Sequence, residues 1–137
     1  MKNSLTGAQV LFVDDEESIR LTLPRILQSQ GCVVTAASTF AEAVLHIHKS
    51  PFDVLLTDMN IEGEGDGLLV LAEMRRLQPR CLAFVLTGYP KYETTLGLLE
   101  PPLHAYFFKP VEIDELIGSV NESLANRNPG QTSSIAP

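Results

Sequence analysis

Short apolar runs alternate along this chain with stretches in which apolar residues recur every three or four positions. The runs cover residues 10–13, 33–36, 54–56, 82–86 and 105–108. Each is too short for a helix, and several are rich in β-branched or aromatic residues, so the pattern predicts five strands. Their apolarity is nearly continuous rather than alternating, which predicts a sheet covered on both faces.

The intervening stretches predict helices. The first, over 16–30, carries Ile19, Leu23, Ile26 and Leu27, with Pro24 well inside, where a backbone hydrogen bond must be lost. In the second, Phe40, Ala43, Val44 and Ile47 follow the i, i+3, i+4, i+7 spacing, and Thr39 with Glu42 offers a capping box. Leu68, Leu71 and Met74 form the stripe of a third. A fourth, over about 91–99, contains the poor helix formers Thr94, Thr95 and Gly97 and must stop before Pro101 and Pro102. Ile113, Leu116, Ile117, Val120 and Leu124 give the cleanest stripe, for the last helix. The order βαβαβαβαβα predicts an α/β domain with a mostly parallel sheet and helices on both faces. That domain is expected over 1–125. Residues 126–137 are polar, aperiodic and rich in Pro, Gly, Ser and Thr, which predicts a disordered tail or linker stub.

Composition narrows the function. A chain of 137 residues with 45% apolar and 20% charged residues has room for one domain with a real core. Its net charge of -7 argues against direct nucleic-acid binding, which calls for a basic face. No signal peptide and no membrane-spanning run is visible, so a cytoplasmic protein is expected. Cys32 and Cys81 are far apart beside apolar stretches and read as buried, reduced thiols.

The chemistry collects at the carboxyl ends of the predicted strands, where open parallel sheets bind ligands. Asp14, Asp15, Glu16 and Glu17 follow the first strand. Asp58 ends the third, Thr87 the fourth, and Lys109 with Pro110 follows the fifth. Each has an ordinary reading. Acids favour the start of a helix, Asp58 could cap a turn, Thr87 could bond its own backbone, and a lone lysine is usually a solvated charge. Those readings do not explain why three acids, a hydroxyl and an amine share one edge. Two carboxylates about 4 Å apart repel by roughly 4 kcal/mol at an effective dielectric of 20, so such a cluster calls for protons or a cation. Oxygen-only ligands suit Mg²⁺, and an amine and a hydroxyl beside them suit phosphoryl transfer.

At these residues the chain resembles the receiver domain of two-component response regulators. The motifs are VLFVDDE at the first strand, LLTD at the third, VLTG at the fourth and YFFKP at the fifth, and the match runs from about Gln9 to Leu124. The resemblance implies a flavodoxin-like fold with five helices and strand order 2-1-3-4-5. It implies that Asp58 is the phosphoacceptor, charged by the phosphohistidine of a sensor histidine kinase or a histidine phosphotransfer protein. Asp14 and Asp15 would hold Mg²⁺, Asp15 directly and Asp14 through water, with Asp58 and the backbone carbonyl of Asn60 completing the set. Thr87 would be the switch hydroxyl, Tyr106 the aromatic residue that swings behind it, and Lys109 the phosphate-binding lysine, followed by a cis bond to Pro110. Such a domain is a signalling switch, catalysing no more than its own phosphorylation and slow dephosphorylation. It acts by changing protein partners, with homodimers among them, and not on membranes.

The chain departs from the family in two places. The loop MNIEGEGDG after Asp58 lacks the usual proline, and its three glycines and three acids predict a mobile loop with a more negative rim. Before the fifth strand, Glu100, Pro101, Pro102 and Leu103 replace a Gly-Ala step. The three histidines match no family site, and the i, i+2 spacing of His46 and His48 does not face one metal.

Other functions remain open at this point. A haloacid-dehalogenase-type phosphohydrolase needs a second Asp two residues after the first, where this chain has Asn60. A flavin-binding module on the same strand order needs Ser, Thr and Gly after the first strand, where this chain has DDEES. The domain could also be the regulatory piece of a longer DNA-binding or enzymatic regulator.

Overall fold

Five parallel strands form one sheet in the order β2-β1-β3-β4-β5. They are β1 (Gln9–Val13), β2 (Val33–Ala37), β3 (Val54–Asp58), β4 (Leu82–Thr87) and β5 (Ala105–Phe108). The α-helices are α1 (Glu17–Ser29), α2 (Phe40–Lys49), α3 (Gly67–Leu77), α4 (Glu93–Gly97) and α5 (Ile113–Ala125). The structure, a computed structural model, describes residues 4–99 and 103–127. The altered step at Glu100, Pro101 and Pro102 and most of the expected tail lie outside these residues. Within them, Arg127 pairs with Asp53 at 3.1 Å, just beyond α5.

Alternation along each strand divides the core in two. Val10 and Phe12 point to one face with Val54, Leu56, Phe84 and Leu86, where Leu23 and Leu27 of α1 and Leu116, Val120 and Leu124 of α5 cover them. Leu11, Val13, Leu55 and Ala83 point to the other, against Ala43 and Ile47 of α2 and Val70, Leu71 and Met74 of α3. The central strands β1, β3 and β4 are therefore apolar on both sides, as their sequences predict. The edges differ. In β2 only Ala37 is fully buried and Val33 is 49% exposed, because an edge strand has a neighbour on one side only.

Local chemistry accounts for the helices. The Thr39 hydroxyl accepts from the Glu42 amide at 3.1 Å, and the Glu42 carboxylate reaches back to the Ser38 amide at 2.7 Å, one residue before the expected partner. Helix α1 runs through the buried Pro24. The fourth helix is shorter than the sequence suggests. A 3₁₀ turn over Pro90–Tyr92 precedes the five-residue α4, consistent with the weak propensities of Thr94, Thr95 and Gly97. Gln78, 1% exposed, fastens the start of β3: its amide nitrogen donates to the carbonyls of Ile47 and Ser50, and its oxygen accepts from the Phe52 amide.

Candidate functional site

The register brings the acids together. Val13 pairs with Thr57, so the residues that follow, Asp14 and Asp58, leave adjacent strands side by side. Helices α1 and α3 then depart to opposite faces, which opens a crevice at this point of the sheet. Carboxylate oxygens of Asp14, Asp15 and Asp58 lie within 4.8 Å of one another. From the end of β5 the Lys109 ammonium reaches across to them, donating to Asp14 Oδ2 at 2.9 Å and to Asp58 Oδ2 at 3.1 Å. The Lys109–Pro110 peptide bond is cis.

The three acids sit in different environments. Asp14 is fully buried and both its oxygens are used, Oδ1 by the Glu16 amide at 2.9 Å and Oδ2 by Lys109. Asp15 is exposed and has no hydrogen-bond partner among the described residues. Asp58 is 8% exposed. Burial pushes its pKa up; Lys109 pulls it down, Asp14 adds to the rise, and the net direction is upward. Burial disfavours the charged form of Lys109, yet its bonds to Asp14 and Asp58 outweigh this and hold its pKa above the usual value.

Asp15, Asp58 and Lys109 line an open cleft of about 500 Å³ together with Asn60, Gly63 and Tyr89. The three clustered carboxylates offer oxygen ligands only, a set that fits a hard divalent cation. Thr87 and Tyr106 do not line the cleft. The Thr87 hydroxyl is buried and turned into its own loop, accepting from the Tyr89 amide at 3.1 Å. Tyr106 is half-buried and packs edge-on against Phe108, 6.0 Å between ring centres.

In the loop after Asp58, where the sequence predicts a mobile and more negative rim, each of the three acids has a hydrogen-bond partner. Asp66 accepts from the amides of Ile61 at 2.6 Å, Glu62 at 2.9 Å and Gly63 at 2.9 Å. Glu62 accepts from the Phe40 amide at the start of α2, where the helix dipole favours a carboxylate. Glu64 bonds Lys91 and the Tyr92 hydroxyl. The Asn60 side chain accepts from the Gly65 amide at 2.6 Å, and Gly65 has a φ of 77°, a region glycine enters without strain. At Gly67 a Cβ would collide with the Asp58 carbonyl oxygen, so only glycine lets α3 start this close to the end of β3. None of these bonds is visible in residue spacing, although Asp-Gly at 66–67 marks a turn.

A family model described as the response regulator receiver domain matches residues 10–121. The chain belongs to this family. Over 117 residues this receiver domain is 29% identical to the transcriptional regulatory protein ZraR of Escherichia coli strain K12, covering 85% of this chain and 26% of that protein. The chain spans about a quarter of the length of the curated relatives it matches. Among solved structures, it is similar to a CheY-like response regulator receiver domain protein from Methanospirillum hungatei JF-1. There the TM-score is 0.79 with 28% identity, over 88% of this chain and 95% of that one. It is also similar to the response regulator protein TrrA from Thermotoga maritima in complex with Mg(2+)-BeF, with a TM-score of 0.74 and 29% identity, over 85% and 98%.

Proposed function

We propose that this receiver domain accepts a phosphoryl group on Asp58 from the phosphohistidine of a sensor histidine kinase or a histidine phosphotransfer protein. The observation that carries this reading is the Lys109 ammonium seated between Asp14 and Asp58 and lining an open cleft. An Asp58 oxygen attacks phosphorus, the bond from phosphorus to the donor imidazole breaks, and the imidazole nitrogen keeps the electron pair. The nucleophile must be ionised. Lys109 opposes the effect of burial on Asp58 and favours that form.

Asp15 and Asp58 would hold Mg²⁺ together with the Asn60 carbonyl, and Asp14 would act through water, since both its oxygens already have partners. When bound, the ion neutralises charge on the phosphoryl oxygens. Lys109, already 3.1 Å from Asp58, would contact the phosphoryl group once it is there. Thr87 would leave Tyr89 to donate to a phosphoryl oxygen, with Tyr106 filling the space behind it. Two residues after Asp58, where a phosphohydrolase of this kind needs an acid/base aspartate, stands the non-titrating amide of Asn60, which accepts from Gly65, and the domain serves as a switch.

The phosphorylated form would be read by a partner. The length of the curated relatives favours a role as the regulatory part of a transcriptional or other longer regulator. No described helix is long and apolar enough to cross a membrane, and we place the domain in the cytoplasm, where phosphohistidine is made from ATP. Acetyl phosphate with Mg²⁺ should add one phosphoryl group, read by intact mass, and Asp58→Asn should add none. Undiminished labelling of that variant would exclude Asp58 as the acceptor.

A further inference from the structure

The β3–α3 loop lines one side of the cleft through Asn60, Ile61, Glu62 and Gly63 and is tied to the segment after β4. Glu64 Oε1 accepts from Lys91 Nζ at 2.9 Å and from the Tyr92 hydroxyl at 2.7 Å. Lys91 also lies over two rings, 5.7 Å from the centre of Tyr89 and 5.2 Å from that of Tyr92, and those rings meet edge-on at 6.1 Å. The base of the tie is braced, since Gly63 is bonded to Asp66 and Gly65 to Asn60 on either side of Glu64.

The tied segment is the one that engages the Thr87 hydroxyl. Tyr89 donates its amide to that hydroxyl at 3.1 Å and offers its carbonyl at 3.5 Å. For Thr87 to turn toward Asp58 the Tyr89 turn must give, and Lys91 and Tyr92, two and three residues on, are pinned by Glu64. We propose that Glu64 is a positioning residue that acts as a latch: through Lys91 and Tyr92 it holds the Tyr89 turn against Thr87 and so opposes activation. This rests on the phosphoacceptor reading of Asp58. Glu64 and Lys91 have side chains 68% and 62% exposed, so the latch is weak and screened by salt, and it tunes the switch rather than locking it.

The full chain is titrated with beryllofluoride and Mg²⁺, a stand-in for the phosphoryl group, and followed by tyrosine fluorescence. Glu64→Ala should bind about twofold to fivefold more tightly than wild type at low salt, the range expected of one exposed pair. The gain should shrink at about 1 M salt. Lys91→Glu should mimic it, and Glu64→Lys combined with Lys91→Glu should restore wild-type affinity, which loss of a merely structural contact would not. In the ligand-free protein, exchange of the Tyr89 and Tyr92 amides should be faster in Glu64→Ala. Equal affinities of a responsive wild type and Glu64→Ala, or unchanged exchange, would overturn the latch and leave the phosphoacceptor reading intact. No response of wild type to beryllofluoride, with faster exchange in the variant, would overturn the coupling and that reading together.

Discussion

Lys109→Met removes the cation that touches both Asp14 and Asp58 while keeping an apolar stem of similar length. The structure sets the size of the effect. At an effective dielectric of 20, contacts of 2.9 Å and 3.1 Å are each worth about 5 to 6 kcal/mol before desolvation. Repulsion between the two carboxylates, whose oxygens lie within 4.8 Å, is then at least about 3 kcal/mol. Most of the attraction is offset by taking the ammonium out of water, and breaking a buried pair leaves a net loss of about 3 to 5 kcal/mol. Lys109 keeps 18% of its side chain in solvent, so the loss should fall at the low end, about 3 kcal/mol, or about 10 °C in Tm. Urea unfolding at neutral pH in a chelator measures it. The sign with pH follows from Asp58, whose pKa is already raised: losing Lys109 raises it further, so protonation relieves the variant and the deficit narrows as pH falls. Mg²⁺ should narrow it too, because the variant's uncompensated carboxylates bind the ion more tightly than those of wild type; a tenfold lower Kd in the variant narrows the gap by about 1.4 kcal/mol at saturation. A loss below about 1 kcal/mol, or a deficit equal in chelator and in Mg²⁺, would refute the reasoning.

Gly67→Ala should destabilise the domain by about 3 kcal/mol or more in urea, since a Cβ would collide with the Asp58 carbonyl oxygen and stand 2.8 Å from that of Met59, far outweighing the gain in helix propensity; a loss under about 1 kcal/mol would contradict this. Gln78→Ala should lose about 3 kcal/mol with an unchanged m-value, because the Phe52 amide and Ile47 carbonyl are left without partners; a loss under about 1 kcal/mol would count against it. Glu73 is held down to about 2 by Arg76 first and His48 second, so its contribution is present above the usual 4.5 and disappears as pH falls toward 2. Glu73→Gln should flatten the acid limb of stability in that window at low salt, and an unchanged limb would show the pair contributes nothing.

The floor of the site was legible because parallel-sheet geometry dictates it. A residue that follows an apolar run must emerge at the carboxyl edge, so Asp14, Asp58 and Lys109 could be assembled from strand ends alone. Their register, Val13 opposite Thr57 and Thr87 opposite Phe108, was not needed to see that they converge. The walls were less legible. Three glycines and three acids after Asp58 suggest a mobile, negative rim, yet Asp66, Glu62 and Glu64 each find a partner, and which one depends on a loop path that composition does not encode. The orientation of the Thr87 hydroxyl was hidden likewise, because a threonine rotamer is decided by nearby backbone donors such as the Tyr89 amide. The run 33–36 does not by itself reveal its edge position, since Val-Val-Thr-Ala reads the same at an edge as in the middle; the strand order 2-1-3-4-5 implied by the family resemblance does. The short α4 follows from propensity, but its 3₁₀ entry at Pro90–Tyr92 does not.

The central claim is that one carboxylate among three neighbouring acids, Asp58, carries the phosphoryl group. Borohydride reduces an acyl phosphate, converting a phosphorylated aspartate to homoserine that peptide mass mapping can locate. After incubation with acetyl phosphate and Mg²⁺, homoserine should appear at position 58 and nowhere else. Homoserine at position 14 or 15 instead, or intact Asp58 in protein that has gained a phosphoryl group, would contradict the account.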